Sequence, residues 1–251
     1  MVISKLIFLK PEFLCKLNSK RRWLAAGLLL SLTTFNANAL TTAYTSGGQN
    51  LVYSSLGNIT WTGDANLLDT LEASNPNLVS TIINTIGFIS DSLGVHTLTD
   101  EDFGTFGLVT WYGAQAYIEY LNNINYAGSN QWSLPSAGTD PQNGYSQTGG
   151  QLGQLFYNEL GGAADVVIPY TGNFTNMWAA DYWYTTEWGD EGAWVFSDQI
   201  GVQYENFKMN QFYAWAVSPG QVSAVPVPAA AWLFGPALLG LLGFKRRSTK
   251  G

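Results

Sequence analysis

The chain has 251 residues, enough for one good-sized domain or two small ones, with 46% hydrophobic and only 12% charged. Its net charge of -7 conceals a segregation: six of 11 basic residues fall in the first 22 positions and four in the last seven, so between Leu40 and Phe244 Lys208 alone faces 17 acidic residues, a balance of -16. Such a body repels phosphate backbones, which excludes nucleic-acid binding, and the single cysteine, Cys15, excludes a disulfide framework or a cysteine-based site downstream.

Residues 1–39 read as a signal peptide. Lys20-Arg21-Arg22 precede an apolar run from Trp23 to Leu32, and Ala37 and Ala39 supply the small residues that a signal peptidase reads, placing the cut before Leu40. An uncleaved anchor is the other reading, but so short an apolar run spans a bilayer poorly. Residues 40–57 follow as an N-terminal extension.

Asn75-Pro76 predicts a helix start, with Asn as N-cap and Pro at the first helical position. Leu78, Ile82, Ile83, Ile86, Ile89 and Leu93 keep the helical period, and Gly94 suits the end. A second helix is predicted near Trp111 to Asn122, with Trp111, Ala114, Ile118 and Leu121 on one face. A third, near Gly150 to Leu160, carries Leu152, Leu155, Phe156 and Leu160 and stops at Gly161-Gly162. Ala193 to Ser197 reads as a strand and Phe212 to Val217 as a buried final strand. Two or three helices with short strands and long turns define an α+β fold.

Little in this pattern supports catalysis. His96 is the single histidine and reads as a surface-loop residue rather than the base of a Ser-His-Asp triad, and a zinc site would need more His or Cys than the chain has. Asp100-Glu101-Asp102 resembles the start of a calcium loop, but Trp111 stands where the last acidic ligand belongs, and a turn before a strand is the better reading. Glu187, Asp190 and Glu191 cluster around Trp188-Gly189 and read either as a solvated acidic loop or as a sugar or calcium-assisted sugar site. No cofactor or metal is expected, calcium lacking a complete motif. Eight tryptophans lie between Trp61 and Trp215. They either fill the core or, at Trp178, Trp183 and Trp188, offer faces on which sugars stack, with Trp188 the best candidate for exposure. The candidate ligand surface is therefore Trp183, Trp188, Glu187, Asp190 and Glu191.

The C-terminus has three parts: Val225-Pro226-Val227-Pro228-Ala229, an apolar stretch from Ala229 to Phe244, and a basic stop of Lys245, Arg246 and Arg247. On physical grounds alone this is a short transmembrane helix at 229–244, with the body outside and the basic end cytoplasmic. The proline-rich piece stays extended and open to a protease. Val225 to Phe234 resembles the PEP-CTERM class of sorting signals in its VPLPA-type variant, with Val227 in place of leucine. That resemblance implies recognition and cleavage by an exosortase. It also implies delivery from the inner membrane to the surface or extracellular matrix of a Gram-negative bacterium that makes exopolysaccharide.

A second resemblance covers most of residues 58–220. Gln131-Trp132-Ser133-Leu134-Pro135-Ser136, Tyr182-Trp183-Tyr184-Thr185-Thr186-Glu187, Ala193-Trp194-Val195-Phe196 and Phe212 to Gly220 are similar, in order, to signatures of the Lcl C-terminal domain family. Thr60 to Asn66 and Gln154 to Gly162 also fit. The resemblance implies a compact C-type-lectin-like fold with short antiparallel strands, an insertion at about 67–99, and Trp132, Trp183, Trp194 and Trp215 as structural. Ser133 and Ser218 stand where the family carries arginine, and Gln154 where histidine is common. Residues 221–251 then form the sorting signal. The expectation is a non-enzymatic, exported surface or biofilm-matrix protein that binds polysaccharide or another matrix component. A self-associating structural protein is the alternative, and an extracellular glycan-acting enzyme the third.

Overall fold

A computed structural model of the chain describes residues 41–168 and 170–223. The predicted signal peptide with Ala37, Ala39 and Leu40 lies outside the described residues. So do the sorting motif Val225–Ala229, the segment 229–244 and the stop Lys245, Arg246 and Arg247. Among the described residues no helix is long and apolar enough to cross a membrane.

Thr41–Ser46 (β1) and Gln49–Ser54 (β2) make a hairpin whose turn needs Gly47 and Gly48, both at positive φ. Ile59–Thr62 (β3) extends it, and Val217–Pro219 (β12), from the far end of the domain, pairs antiparallel with β3. Leu51 and Val52 are buried in the core, so residues 41–57 do not stand apart as the extension expected over 40–57. The pairing of β2 with β3, which in turn pairs with the last strand, makes β1 and β2 part of the same sheet.

Leu67–Ser74 (α1) and Leu78–Ile86 (α2) follow, then a separate hairpin of Phe88–Asp91 (β4) and Gly94–Thr97 (β5). Here the sequence reading is corrected twice. Asn75 closes α1, its N–H donating to Leu71 and Glu72, and the N-cap of α2 is Asn77. The helix also stops at Gly87 (φ 77°), not Gly94, because Phe88 onward pairs as a strand. Leu108–Val109 (β6) leads into Trp111–Asn123 (α3), capped by Thr110, whose hydroxyl accepts from Gly113 N–H. Trp111, Ala114, Ile118 and Leu121 are buried, as their spacing predicts.

Gly144–Tyr145 (β7) precedes Gln151–Gln154 (α4), which widens into a π-helical turn over Leu155–Glu159. Asp181–Trp188 (β8), Gly192–Ser197 (β9), Val202–Phe207 (β10) and Phe212–Tyr213 (β11) complete a six-stranded sheet of order β6-β11-β8-β9-β10-β7. Its pairs are antiparallel except β11 with β8. The fold is α+β, with four α-helices among the described residues where two or three were expected. Phe212 to Val217 is not one strand. It splits at Ala214–Ala216, its two ends serving different sheets.

The central sheet is buried on both faces, which explains why every residue of β9 is buried. Trp183, Ala193 and Val195 point to one core with α2, α3 and the hairpin. Tyr182, Tyr184, Trp194 and Phe196 point to a second core with α4, Trp61 and Trp215. Between Trp183 and Glu187, β8 takes four steps while β9 takes two, from Val195 to Ala193. This bulge frees Tyr184 O to accept from Trp111 Nε1 at 3.0 Å and Thr185 N–H to donate to Pro135 O at 2.8 Å.

Candidate functional site

Because the bulge inserts an even number of residues, Glu187 stays on the Trp183 face and pairs with Ala193. Trp188 pairs with Gly192 on the opposite face. The expected ligand surface is therefore divided. Trp183 is fully buried, its Nε1 donating to Val109 O at 2.9 Å, and it cannot meet a ligand. Glu187 belongs to an internal cluster, and Asp190 and Glu191 form the exposed turn between β8 and β9.

That cluster surrounds Lys208, the lone body cation, which is 1% exposed. Its Nζ donates to Asp91 Oδ2 at 2.6 Å, Glu187 Oε2 at 2.6 Å and Asp190 O at 2.9 Å, using all three ammonium protons. Its backbone is fixed as well: Lys208 N–H donates to Glu191 O, and Lys208 O accepts from Trp111 N–H. The ammonium lies 4.8 Å from the Trp111 ring centroid and 5.8 Å from that of Tyr112. Asp91 comes from β4, and its Oδ2 also accepts from Tyr112 OH at 2.8 Å while Oδ1 accepts Leu93 N–H at 2.9 Å. Burial pushes the Asp91 carboxyl up, but the hydrogen bonds from Lys208, Tyr112 and Leu93, with the lysine charge, outweigh it and hold the group below its usual range. Burial, then Asp91, pushes the Tyr112 phenol up.

His96, on β5, stacks on Tyr112 with centroids 3.9 Å apart and its Nε2 3.0 Å from Asp102 Oδ1. Asp102 is buried and also accepts from Thr99 N–H and Thr110 OH. Asp100–Asp102 is a 3₁₀ turn closed by this capping box, as the turn reading expects. The Thr110 hydroxyl that donates to Asp102 is also the α3 cap, so the His96–Asp102 pair ties the hairpin to the start of α3. Among the described residues no group of three His, Cys, Asp or Glu is placed to hold a metal ion.

Exposed aromatics gather elsewhere. Trp188 on β8 and Phe207 on β10 are both register partners of Gly192 on β9, and both rings are at least half exposed. With no side chain on the middle strand, they wall a notch of about 270 Å³ with Glu205 and Asn206 along one side. Glycine is required there, since a Cβ on Gly192 would sit 2.8 Å from Trp188 Cε3. Trp178 is also exposed, whereas Trp132, Trp183, Trp194 and Trp215 are buried. Sequence reasoning found Trp188 but missed Phe207, Glu205 and the glycine between the rings. It also missed the pairing of Lys208, although a single lysine among 17 carboxylates was itself a signal.

A scan against protein-family models finds no family that matches the chain, and a search of the curated proteins finds no match.

Proposed function

We propose that this chain is an exported protein, sorted by an exosortase to a bacterial surface or extracellular matrix. Its C-type-lectin-like body, a member of the Lcl C-terminal domain family, binds polysaccharide without turning it over. The observation that carries the binding role is the notch between Trp188 and Phe207. Pyranose rings present apolar C–H faces that stack on exposed aromatic faces, and a rigid pair of rings loses little conformational entropy on binding. The export and sorting part rests on the tripartite tail and the signal peptide, and the family part on the quoted signatures. A binding role is favoured over hydrolysis because Glu187, the acidic residue most central to the predicted surface, is tied to Lys208 and faces away from Trp188. At -16 the body suits neutral or amino-bearing polymers rather than sulfated ones. The test is a glycan array probed with the purified protein and with Trp188→Ala. Binding that vanishes in the variant supports the reading, and equal binding by both overturns the site.

One observation favours the self-association reading. The β4–β5 hairpin pairs with no other strand among the described residues, and Phe88, Leu93 and Val95 on it are more than half exposed. Unpaired edges carrying apolar side chains are suited to strand addition by another chain. Light scattering across concentration, with Val95→Lys as control, distinguishes this reading.

A further inference from the structure

The geometry points to an intramolecular amide bond between Lys208 Nζ and Asp91 Cγ, formed after folding with Glu187 as the proton carrier. This inference stands apart from any polysaccharide binding, since the three groups lie on the opposite face of the sheet from the aromatic notch.

Four observations carry it. Lys208 and the Asp91 side chain are almost wholly buried (1% and 2% exposed), which limits the access of bulk water to the pair. Nζ and Oδ2 are 2.6 Å apart, with Lys208 backbone-pinned on both sides. Both Asp91 oxygens are held by donors: Oδ1 by Leu93 N–H, and Oδ2 by Tyr112 OH. Glu187 Oε2 touches the same Nζ at 2.6 Å, and its side chain is 36% exposed, so it reaches both the dry site and solvent. That difference selects the acceptor. Asp91 is enclosed and held by Leu93 and Tyr112, while the Glu187 side chain is 36% exposed.

The step balances without any further reactant. Glu187 relays one ammonium proton to Asp91 Oδ2, against the preference of the ion pair, giving a transient neutral amine beside a neutral carboxylic acid. The nitrogen lone pair adds to Cγ, and negative charge develops on Oδ1, where Leu93 N–H receives it. Glu187 then moves a second proton from nitrogen to Oδ2, whose C–O bond breaks to release water as Oδ1 becomes the amide carbonyl. One C–N bond forms, one C–O bond breaks, nothing is oxidised or reduced, and a positive and a negative charge disappear together. Condensation is uphill between separate molecules in water. Here both partners belong to one folded chain with Nζ 2.6 Å from Oδ2, so the step is intramolecular and does not pay the entropy of bringing two molecules together. Replacing a buried ion pair by a neutral amide also removes its desolvation cost. The product fastens the hairpin end of the 67–99 segment covalently to the end of β10. Such a tie suits a protein working outside the cell, where unfolding exposes the chain to proteases.

The sequence supplies its own assay, because Lys208 is the one lysine or arginine between Arg22 and Lys245. Trypsin cuts after a free lysine and not after one acylated at Nζ. The purified full chain, incubated folded, then denatured and digested, is expected to remain uncut at Lys208 and to weigh one water less than its sequence mass. A second protease should release the Asp91 and Lys208 peptides joined. Complete cleavage after Lys208 together with the full sequence mass overturns the proposal. Glu187→Gln leaves the buried pair in place and is expected to restore cleavage and the lost water. A fully cross-linked Glu187→Gln overturns the role of Glu187 as proton carrier.

Discussion

Trp188 and Phe207 stand on strands two apart in the central sheet and share one register partner, Gly192, which leaves a gap between two exposed rings. Strand spacing puts their backbones about 9–10 Å apart, enough for a sugar ring to enter and meet an aromatic face. Trp188→Ala and Phe207→Ala should each weaken polysaccharide binding about tenfold, the equivalent of roughly 1.4 kcal/mol, measured by calorimetry on a purified oligosaccharide. Gly192→Ala should weaken it too, by pushing the Trp188 ring off the strand. Unchanged affinity in Gly192→Ala would mean that the ring position does not matter.

Lys208 is worth more to the fold than its surface chemistry suggests. Removing it leaves Asp91 buried with an uncompensated charge, so Lys208→Met should destabilise the protein by about 3–5 kcal/mol. At roughly 2–4 °C per kcal/mol for a body of this size, the midpoint should fall by about 10 °C in calorimetry. Adding Asp91→Asn to Lys208→Met should recover part of that loss, because the orphaned charge goes with it. If the double variant is no more stable than the single, charge is not the reason.

The placement of these groups shows where sequence reasoning reaches and where it stops. The α3 helix was legible because Trp111, Ala114, Ile118 and Leu121 repeat at the helical period and the packing obeys that period. Asn75 misled because an Asn before Pro is as good an end to one helix as a start to the next, and the eight-residue α1 before it was not predicted. The β8 bulge was invisible, since the groups it frees bond to Pro135 and Trp111, far away in sequence. Trp188 and Glu187 were read as members of one surface although neighbours along a strand face opposite ways. Asp91 and Lys208 meet across 117 residues of chain, a distance no local pattern encodes. The lone cation announced that a partner existed, and only the fold could name it.

Asp198 gives the protein a stability that depends on pH. It is buried in the turn after β9, its Oδ2 has no hydrogen-bond partner among the described residues, and burial, then the nearby Asp181 charge, pushes its carboxyl well up. The unfolded chain releases that proton near pH 3.9, whereas the folded chain retains it. The contribution of this group is therefore complete below that pH and is lost as pH rises through the folded value. Asp198→Asn should stabilise the protein at pH 7.5 by about 1–3 kcal/mol and flatten the decline between pH 4.5 and 7.5, read from urea unfolding at both. A variant that unfolds at the same urea concentration as the parent at pH 7.5 would show that the charged form costs nothing there.

The sorting proposal is tested by intact mass of protein recovered separately from medium and membranes of the native host. Two cuts are expected. One precedes Leu40, after the small residues Ala37 and Ala39, and the other falls near Pro228, where two prolines alternate with valine in a segment that suits a membrane protease. The expected medium species therefore begins at Leu40, ends close to Pro228 and lacks all ten basic residues of the two ends. Its charge would then be set by Lys208 against 17 carboxylates, which favours solubility and disperses the protein through a matrix. Val225→Ala with Pro226→Ala and Pro228→Ala should leave the uncut form in the membrane. A membrane species that retains Lys250 in the wild type would make the tail a permanent anchor held by Lys245, Arg246 and Arg247. Sorting would then be discarded, while the notch and the buried lysine would keep their roles.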